Sequence, residues 1–286
     1  MTRHIVEAFG KARLIIEDGE IKVIRPPIIK RCPLLERLEL VDGPLTAESV
    51  KEAARRVMER YGVYTASRPI ASEEDIAAFG VSETRFSAIK QGLLDAAVIV
   101  CDGAGTLVAS SPEAVQGIGG IMSYLIETSP ISEVIEALQR QGCRVLDAET
   151  ARIDQVEGVK LASRMGFKRI GVTVTSGFEA SRIRELSTKL KMIVAIFAIH
   201  TTGVSREEAL LLGEHCDVVT GCASKWVREL VGAKALLQVG TTIPVFALTT
   251  LGKELLLARL KDLNRPLLVG FSKLPKMGDR SPEPLV

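Results

Sequence analysis

The order of apolar and polar positions divides the chain into an N-terminal β segment and a long alternation of strands with helices. Residues 4–24 carry two apolar stretches, HIVEAF and ARLIIEDG, that lead into EIKVI. Asp18-Gly19 supplies turn chemistry between them, so a β-hairpin is expected. Pro26-Pro27 ends that ladder because proline has no N–H to donate. The segment IIKRCPLLERLEL follows, its Cys32-Pro33 step biased toward extended backbone. From Thr46 the spacing becomes helical. Val50, Ala54, Val57, Met58 and Tyr61 recur at three-four intervals, Thr46 can cap, and Glu48 and Glu52 suit the helix start. A second helical stretch is expected over residues 72–92, broken near Gly80, where Ser82 recaps it.

Beyond that point the chain alternates. LDAAVIVC (residues 94–101) is a continuous apolar run of strand length, as for a strand buried on both faces. A loop, CDGAGTLVASSPEAVQGIGG, precedes a helix over 131–142 and a short strand over 143–146. Helices over 156–165, 179–190, 206–215 and 225–231 then lead to strands over 169–175, 193–199, 217–220 and 235–239. A last helix, 252–263, precedes an apolar strand at 267–269. Strands separated by such helices imply right-handed crossovers and parallel pairing. The expected class is α/β: a Rossmann-like, mainly parallel sheet or sheets with flanking helices, preceded by an N-terminal β-hairpin segment. The expected divisions are 1–45 (hairpin and covering segment), 46–150 and 151–270 (two α/β regions), and 271–286 (a proline-bearing tail).

Composition narrows the classes of partner. In 286 residues, Lys+Arg 37 against Asp+Glu 35 leaves a net charge of +2, too weak a field for nucleic acid or an anionic membrane. Aromatic residues at 4% argue against stacking platforms for single strands. No run approaches the roughly 18 apolar residues of a membrane span, and the opening MTRHIVEAFGKARLIIEDG lacks the apolar core of a secretory signal. A cytoplasmic location with five reduced cysteines is therefore expected.

In open parallel sheets, ligands bind outside the carboxyl ends of the strands. The expected strands end in Cys101-Asp102-Gly103-Ala104-Gly105, Thr175-Ser176-Gly177, His200-Thr201-Thr202-Gly203, Gly221-Cys222-Ala223-Ser224-Lys225 and Gly240-Thr241-Thr242. Such residues also serve as ordinary turn and cap residues. As a set they form a polar rim suited to an anionic small molecule. Gly103, Gly105, Ser176, Gly177, Thr201, Ser224 and Thr241 are its cofactor-binding candidates. Asp102 and His200 are the acid–base candidates, against the plainer alternatives of an Asx turn and a structural histidine.

Cysteine geometry adds a second chemistry. Cys101 and Cys222 fall at the same sheet edge, and Cys32 lies in the segment that could cover it. Three thiolates from separate loops could hold an iron–sulfur cluster, or zinc. A metal-free reactive thiolate at Cys101 or Cys222 is the alternative. Cys143 and Cys216, at strand beginnings, read as core. No CxxC, GxGxxG, GxxxxGK[ST], HExxH or GxSxG occurs, so the usual dinucleotide, ATP, zincin and hydrolase sites are unsupported.

The segments LLDAAVIVCDGAGTLV (93–108), PEAVQGIGG (112–120), IKRCPLLE (29–36), CDVVTGCASK (216–225) and QVGTTIPVFALTTLGKELLL (238–257) resemble the methanogenesis marker protein 8 family. The likeness covers nearly the whole chain and implies an archaeal or anaerobic setting linked to methane-type metabolism. The leading expectation is a metal- or iron–sulfur-binding protein, through Cys32, Cys101 and Cys222, in sulfur or cofactor chemistry or enzyme maturation. The alternatives are a metal-free binder or transferase of an anionic metabolite, and a scaffold acting as a homo-oligomer or in complex with methanogenesis-type enzymes.

Overall fold

The computed structural model describes residues 2–121 and 124–286. The N-terminal chain forms three antiparallel strands, β1 (Arg3–Ala8), β2 (Ala12–Glu17) and β3 (Glu20–Arg25). A short helix, α1 (Pro33–Arg37), precedes α2 (Ala47–Tyr61). Thr46 Oγ1 accepts from the Ser49 amide at 3.1 Å and Ser49 Oγ accepts from the Thr46 amide at 2.8 Å. Such a reciprocal cap is worth about 1 kcal/mol. Val50, Ala53, Ala54 and Val57 of α2 pack on Val6, Leu14 and Ile16 of the small sheet.

The elements that follow are α3 (Val81–Lys90), β4 (Ala96–Cys101), β5 (Gly105–Ala109), α4 (Pro112–Gly119), β6 (Tyr124–Thr128), α5 (Ser132–Arg140) and β7 (Arg144–Val145). The chain then runs through α6 (Gln155–Arg164), β8 (Arg169–Val174), α7 (Gly177–Leu190), β9 (Ile193–Ala198), α8 (Arg206–His215) and β10 (Val218–Thr220). A turn of π-helix, Val227–Val231, leads to β11 (Leu237–Val239), β12 (Val245–Ala247) and α9 (Thr250–Asp262). No helix among the described residues is long and apolar enough to cross a membrane.

The fold is α/β, with an antiparallel small sheet and a mixed large sheet rather than mainly parallel ones. The small sheet has the order β3-β2-β1-β6, so the expected hairpin gains a third strand and a distant fourth. The large sheet has the order β11-β12-β10-β9-β8-β4-β5-β7. Among the described residues only β4, β8, β9 and β10 pair in parallel; both flanks are antiparallel. These four strands follow one another in a single direction across the sheet. There is thus no reversal of strand order among them, the feature that opens a crevice in a doubly wound sheet. Helices cover both faces: α6, α7 and α8 pack on one, and α3, α4, α5 and α9 on the other.

Several local departures have physical causes. Residues 72–80 are irregular, and α3 starts after Gly80, because the buried Glu83 carboxylate takes the amides of Ile76 and Ala77 at 2.9 Å each. Ser82, the expected cap, is buried and donates to Glu83. The presumed loop after β4 contains β5 and α4, because Gly103 and Gly105, with φ of 76° and 70°, turn the chain straight back. A side chain at Gly105 would collide with the Ala151 carbonyl. The apolar stretch at 267–269 is not a strand: Leu268 and Val269 are exposed at 101% and 80%.

One buried network joins the sheets. Asp102, in the β4–β5 turn, accepts from Arg68 Nε at 2.9 Å and from the Tyr64 amide. Arg68 also donates to the Ile118 carbonyl at the end of α4, at 2.9 Å. The adjacent Gly103 amide donates to Thr128 Oγ1 of β6 at 2.8 Å, and that hydroxyl meets His4 Nδ1 of β1 at 2.6 Å. The small sheet is thereby tied to the turn of the large one. Removing one partner of such a pair strands the other charge in a dry interior. Asp102→Ala is accordingly expected to lower unfolding free energy by about 3–5 kcal/mol. Urea unfolding measures this; a loss under about 1 kcal/mol would remove the network from its structural role.

Candidate functional site

A cavity of about 980 Å³ opens at the carboxyl ends of the parallel strands. Thr173 of β8, Ile199 and His200 after β9, and Thr220 and Cys222 at β10 form its floor. The end of β1 with the β1–β2 turn, from Glu7 to Lys11, and the segment Cys32–Leu38 face them. Gly119-Gly120, Gly240–Ile243, Arg280 and Pro282 complete the wall. Lys11 bridges the two sheets, its Nζ donating to the Thr202 carbonyl at 2.9 Å. The tail closes the outer side: Glu283 pairs with Arg31 as a bridge, and Val286 exchanges backbone hydrogen bonds with Ala223 and Lys225 at 3.0 Å each.

The sequence did not point to the most telling residue. Arg85 of α3 is 3% exposed and lines this cavity. Its Nη1 donates to Thr173 Oγ1 at 2.5 Å, while its Nε is buried without a hydrogen-bond partner. Among the described residues no carboxylate forms an ion pair with it; Glu83 contributes only at longer range. Burial pushes the Arg85 guanidinium down to about 9, with Glu83 opposing, so it remains cationic at neutral pH. Gly171, in mid-strand of β8, makes the room: a side chain there would meet Arg85 Cδ at 3.1 Å. A buried cation with an idle donor is a demand for an anion.

A second buried cation, Arg228, lies behind the Cys222 loop. It donates to the Cys222 carbonyl at 3.0 and 3.1 Å and to the Thr242 carbonyl at 3.2 Å. Burial pushes it down to about 10. It fixes the loop from behind.

Of the expected site residues, His200, Thr241, Cys32 and Cys222 line the cavity. The others are committed elsewhere. Ser176 caps α7, and both Ser176 Oγ and the Gly177 amide donate to Glu208 of α8. The protein's own carboxylate thus fills that helix N-terminus. Thr201 Oγ1 donates to the Thr220 carbonyl at 2.6 Å and accepts from the Cys222 amide at 3.3 Å. Ser224 Oγ accepts from the Val227 amide at 3.2 Å. Gly103 and Gly105 serve the β4–β5 turn, and Asp102 holds Arg68, so none of the three lines the cavity. Cys101 is fully buried, its thiol donating to the Asp102 carbonyl at 3.3 Å, in a different apolar cluster from Cys32 and outside the cavity that Cys32 and Cys222 line. Among the described residues, no group of three or more His, Cys, Asp or Glu side chains is arranged to hold a metal ion. The expected triad of Cys32, Cys101 and Cys222 is therefore not assembled.

His200 is held in the left-handed region at φ 54°, an uncommon conformation for a non-glycine residue. Its ring lies 6.3 Å from that of Tyr124, and burial pushes it down to about 4, with Glu7 opposing. At neutral pH it is an uncharged imidazole. Because its folded value lies below the ordinary 6.5, the unfolded state takes up the proton first as pH falls. Its contribution to stability is whole above about pH 6.5 and declines toward pH 4. Between pH 7 and pH 5 the protein should thus lose about 1–2 kcal/mol more stability than its His200→Gln variant. Denaturant unfolding at the two pH values checks this; equal losses would show that His200 titrates normally.

Comparison with known proteins places the chain. Residues 4–261 match the family described as an uncharacterized protein conserved in archaea (DUF2099). The chain is 42% identical over 286 residues to the uncharacterized protein MJ0054 of Methanocaldococcus jannaschii, with 100% of each chain covered. The cysteine-bearing loops, the cavity and the Asp102 network all lie on a chain that belongs to this conserved archaeal family.

Proposed function

We propose that this protein binds an anionic small molecule or cofactor in the strand-end cavity, as a carrier or transferase of archaeal, methanogenesis-type metabolism. One observation carries the reading: Arg85, nearly fully buried, lines that cavity as a cation with no ion-pair partner among the described residues, and its Nε has no hydrogen-bond partner. An isolated buried cation is costly, and a bound carboxylate or phosphate supplies both its counter-charge and its missing hydrogen bond. The four central strands act as a Rossmann-like platform, with the ligand at their carboxyl ends. The near-neutral net charge of +2 favours a small ligand over a polyanion, in keeping with a cytoplasmic setting. The volume suits a ligand of cofactor size. Iron–sulfur or zinc binding through Cys32, Cys101 and Cys222 has less support, since Cys101 packs away from the other two.

The ligand-free protein bears the cost of the unpaired cation, which gives the reading a distinctive test. Arg85→Met should leave the free protein as stable as wild type, or up to about 2 kcal/mol more stable. The same variant should weaken binding of inorganic phosphate, pyrophosphate or citrate at least about tenfold. Thermal shift and isothermal titration measure both. Saturable binding that survives Arg85→Met, or no midpoint shift with any of these anions, would overturn the proposal.

A further inference from the structure

Four aliphatic side chains line the cavity without belonging to any apolar core cluster among the described residues: Leu34, Ile76, Ile199 and Ile243. Each is half-buried. Leu34 stands in α1, Ile76 in the irregular stretch before α3, Ile199 just after β9, and Ile243 between β11 and β12. They therefore come from both the covering segment and the elements around the large sheet. The Arg37 guanidinium of α1 donates to the Ile76 carbonyl at 2.5 Å, which joins two of these walls. The Ile199 amide donates to the Val174 carbonyl at 3.1 Å, one residue beyond the Thr173 that holds Arg85. The apolar lining and the buried cation thus meet at the ends of β8 and β9.

The charges on the same walls select the sign of the ligand. Its carboxylates, Glu7, Glu36 and Glu83, are already met within the chain. Glu7 pairs with Arg25, Glu36 pairs with Arg31, and Glu83 takes the Ile76 and Ala77 amides. Arg85 has no such counter-charge among the described residues, and its Nε has no hydrogen-bond partner. A small polar anion would answer Arg85 but leave the four aliphatic side chains against water. A ligand with an acidic group at one end of an apolar body satisfies both. We propose that the cavity is built for an amphiphilic anion: a phosphate or carboxylate at Arg85, carried on an aliphatic body that packs against Leu34, Ile76, Ile199 and Ile243. The inference deepens the reading of this cavity as an anion site and rests on it.

Isothermal titration of the full-length protein with a series of n-alkyl phosphates, methyl to hexyl, tests it. Each added methylene should tighten binding about twofold to fourfold, so that hexyl phosphate binds at least about thirtyfold more tightly than methyl phosphate. The heat-capacity change on binding should grow more negative along the series. Leu34→Gln or Ile243→Gln should each cut the hexyl-over-methyl gain at least about threefold, whereas Arg85→Met should weaken both esters at least about tenfold. Hexyltrimethylammonium, of the same chain length but opposite charge, should not bind. Methyl and hexyl phosphate binding equally well, both dependent on Arg85, would overturn the amphiphile and leave the anion reading standing. Hexyl phosphate binding that ignores Arg85→Met, or that hexyltrimethylammonium matches, would overturn both.

Discussion

The buried network around the Asp102–Arg68 ion pair ties the β4–β5 turn of the large sheet to the small sheet, through Gly103 and Thr128, and the cavity lies where the small sheet faces the strand ends. Asp102 sits in a turn that belongs to the large sheet, while its neighbour Gly103 is bonded to Thr128 of the small one. Arg68 carries the same connection to the end of α4. Such pairs are weak contributors to stability when compared with apolar packing, but they discriminate strongly against misplacement, because separating the partners leaves a charge buried alone. The β4–β5 turn is therefore held in one position, and with it the small sheet that faces the ends of β8, β9 and β10.

From that arrangement the site follows. The parallel strands run in one direction across the sheet, so no crevice arises from their order. The space comes instead from the small sheet, α1 and the tail standing over the strand ends. Most polar groups on that rim are spent internally, as at Glu208 over the start of α7 or Thr201 under the Cys222 loop. Arg85 differs from them: among the described residues it lines the cavity as a buried cation with no ion pair and an unpartnered Nε. The proposed anion would supply that partner.

The helices with strong start signals and the continuous apolar strands were legible in the sequence. Thr46 with its three-four apolar spacing gave α2, and LDAAVIVC gave β4, because both depend on local chemistry. Strands β5, β6 and β12 were not legible, being short and embedded in stretches rich in turn residues, with pairing partners far along the chain. The apolar run at 267–269 misleads, because apolar character alone does not say that a partner surface is available. At the site, the strand-end rule brought out His200, Thr241 and Cys222. It could not show that Ser176 and Gly177 meet a carboxylate 31 or 32 residues further on. Arg85 was missed because a charged residue in a helical stretch reads as solvated. The available hint was that Val81–Lys90 lacks an apolar stripe, and its buried face is indeed polar: Ser82, Glu83, Thr84, Arg85 and Ser87.

The central claim is that the idle donor of Arg85 is completed by an anion from outside the chain. The most direct measurement follows the arginine Nε–H resonances in a proton–nitrogen correlation spectrum during titration with pyrophosphate, with Arg85 assigned by its loss in Arg85→Lys. The account predicts that the Arg85 resonance moves to saturation and becomes slower to exchange with water, at the same midpoint as the thermal shift. A saturable response at other arginines, with the Arg85 resonance unmoved throughout, would contradict it.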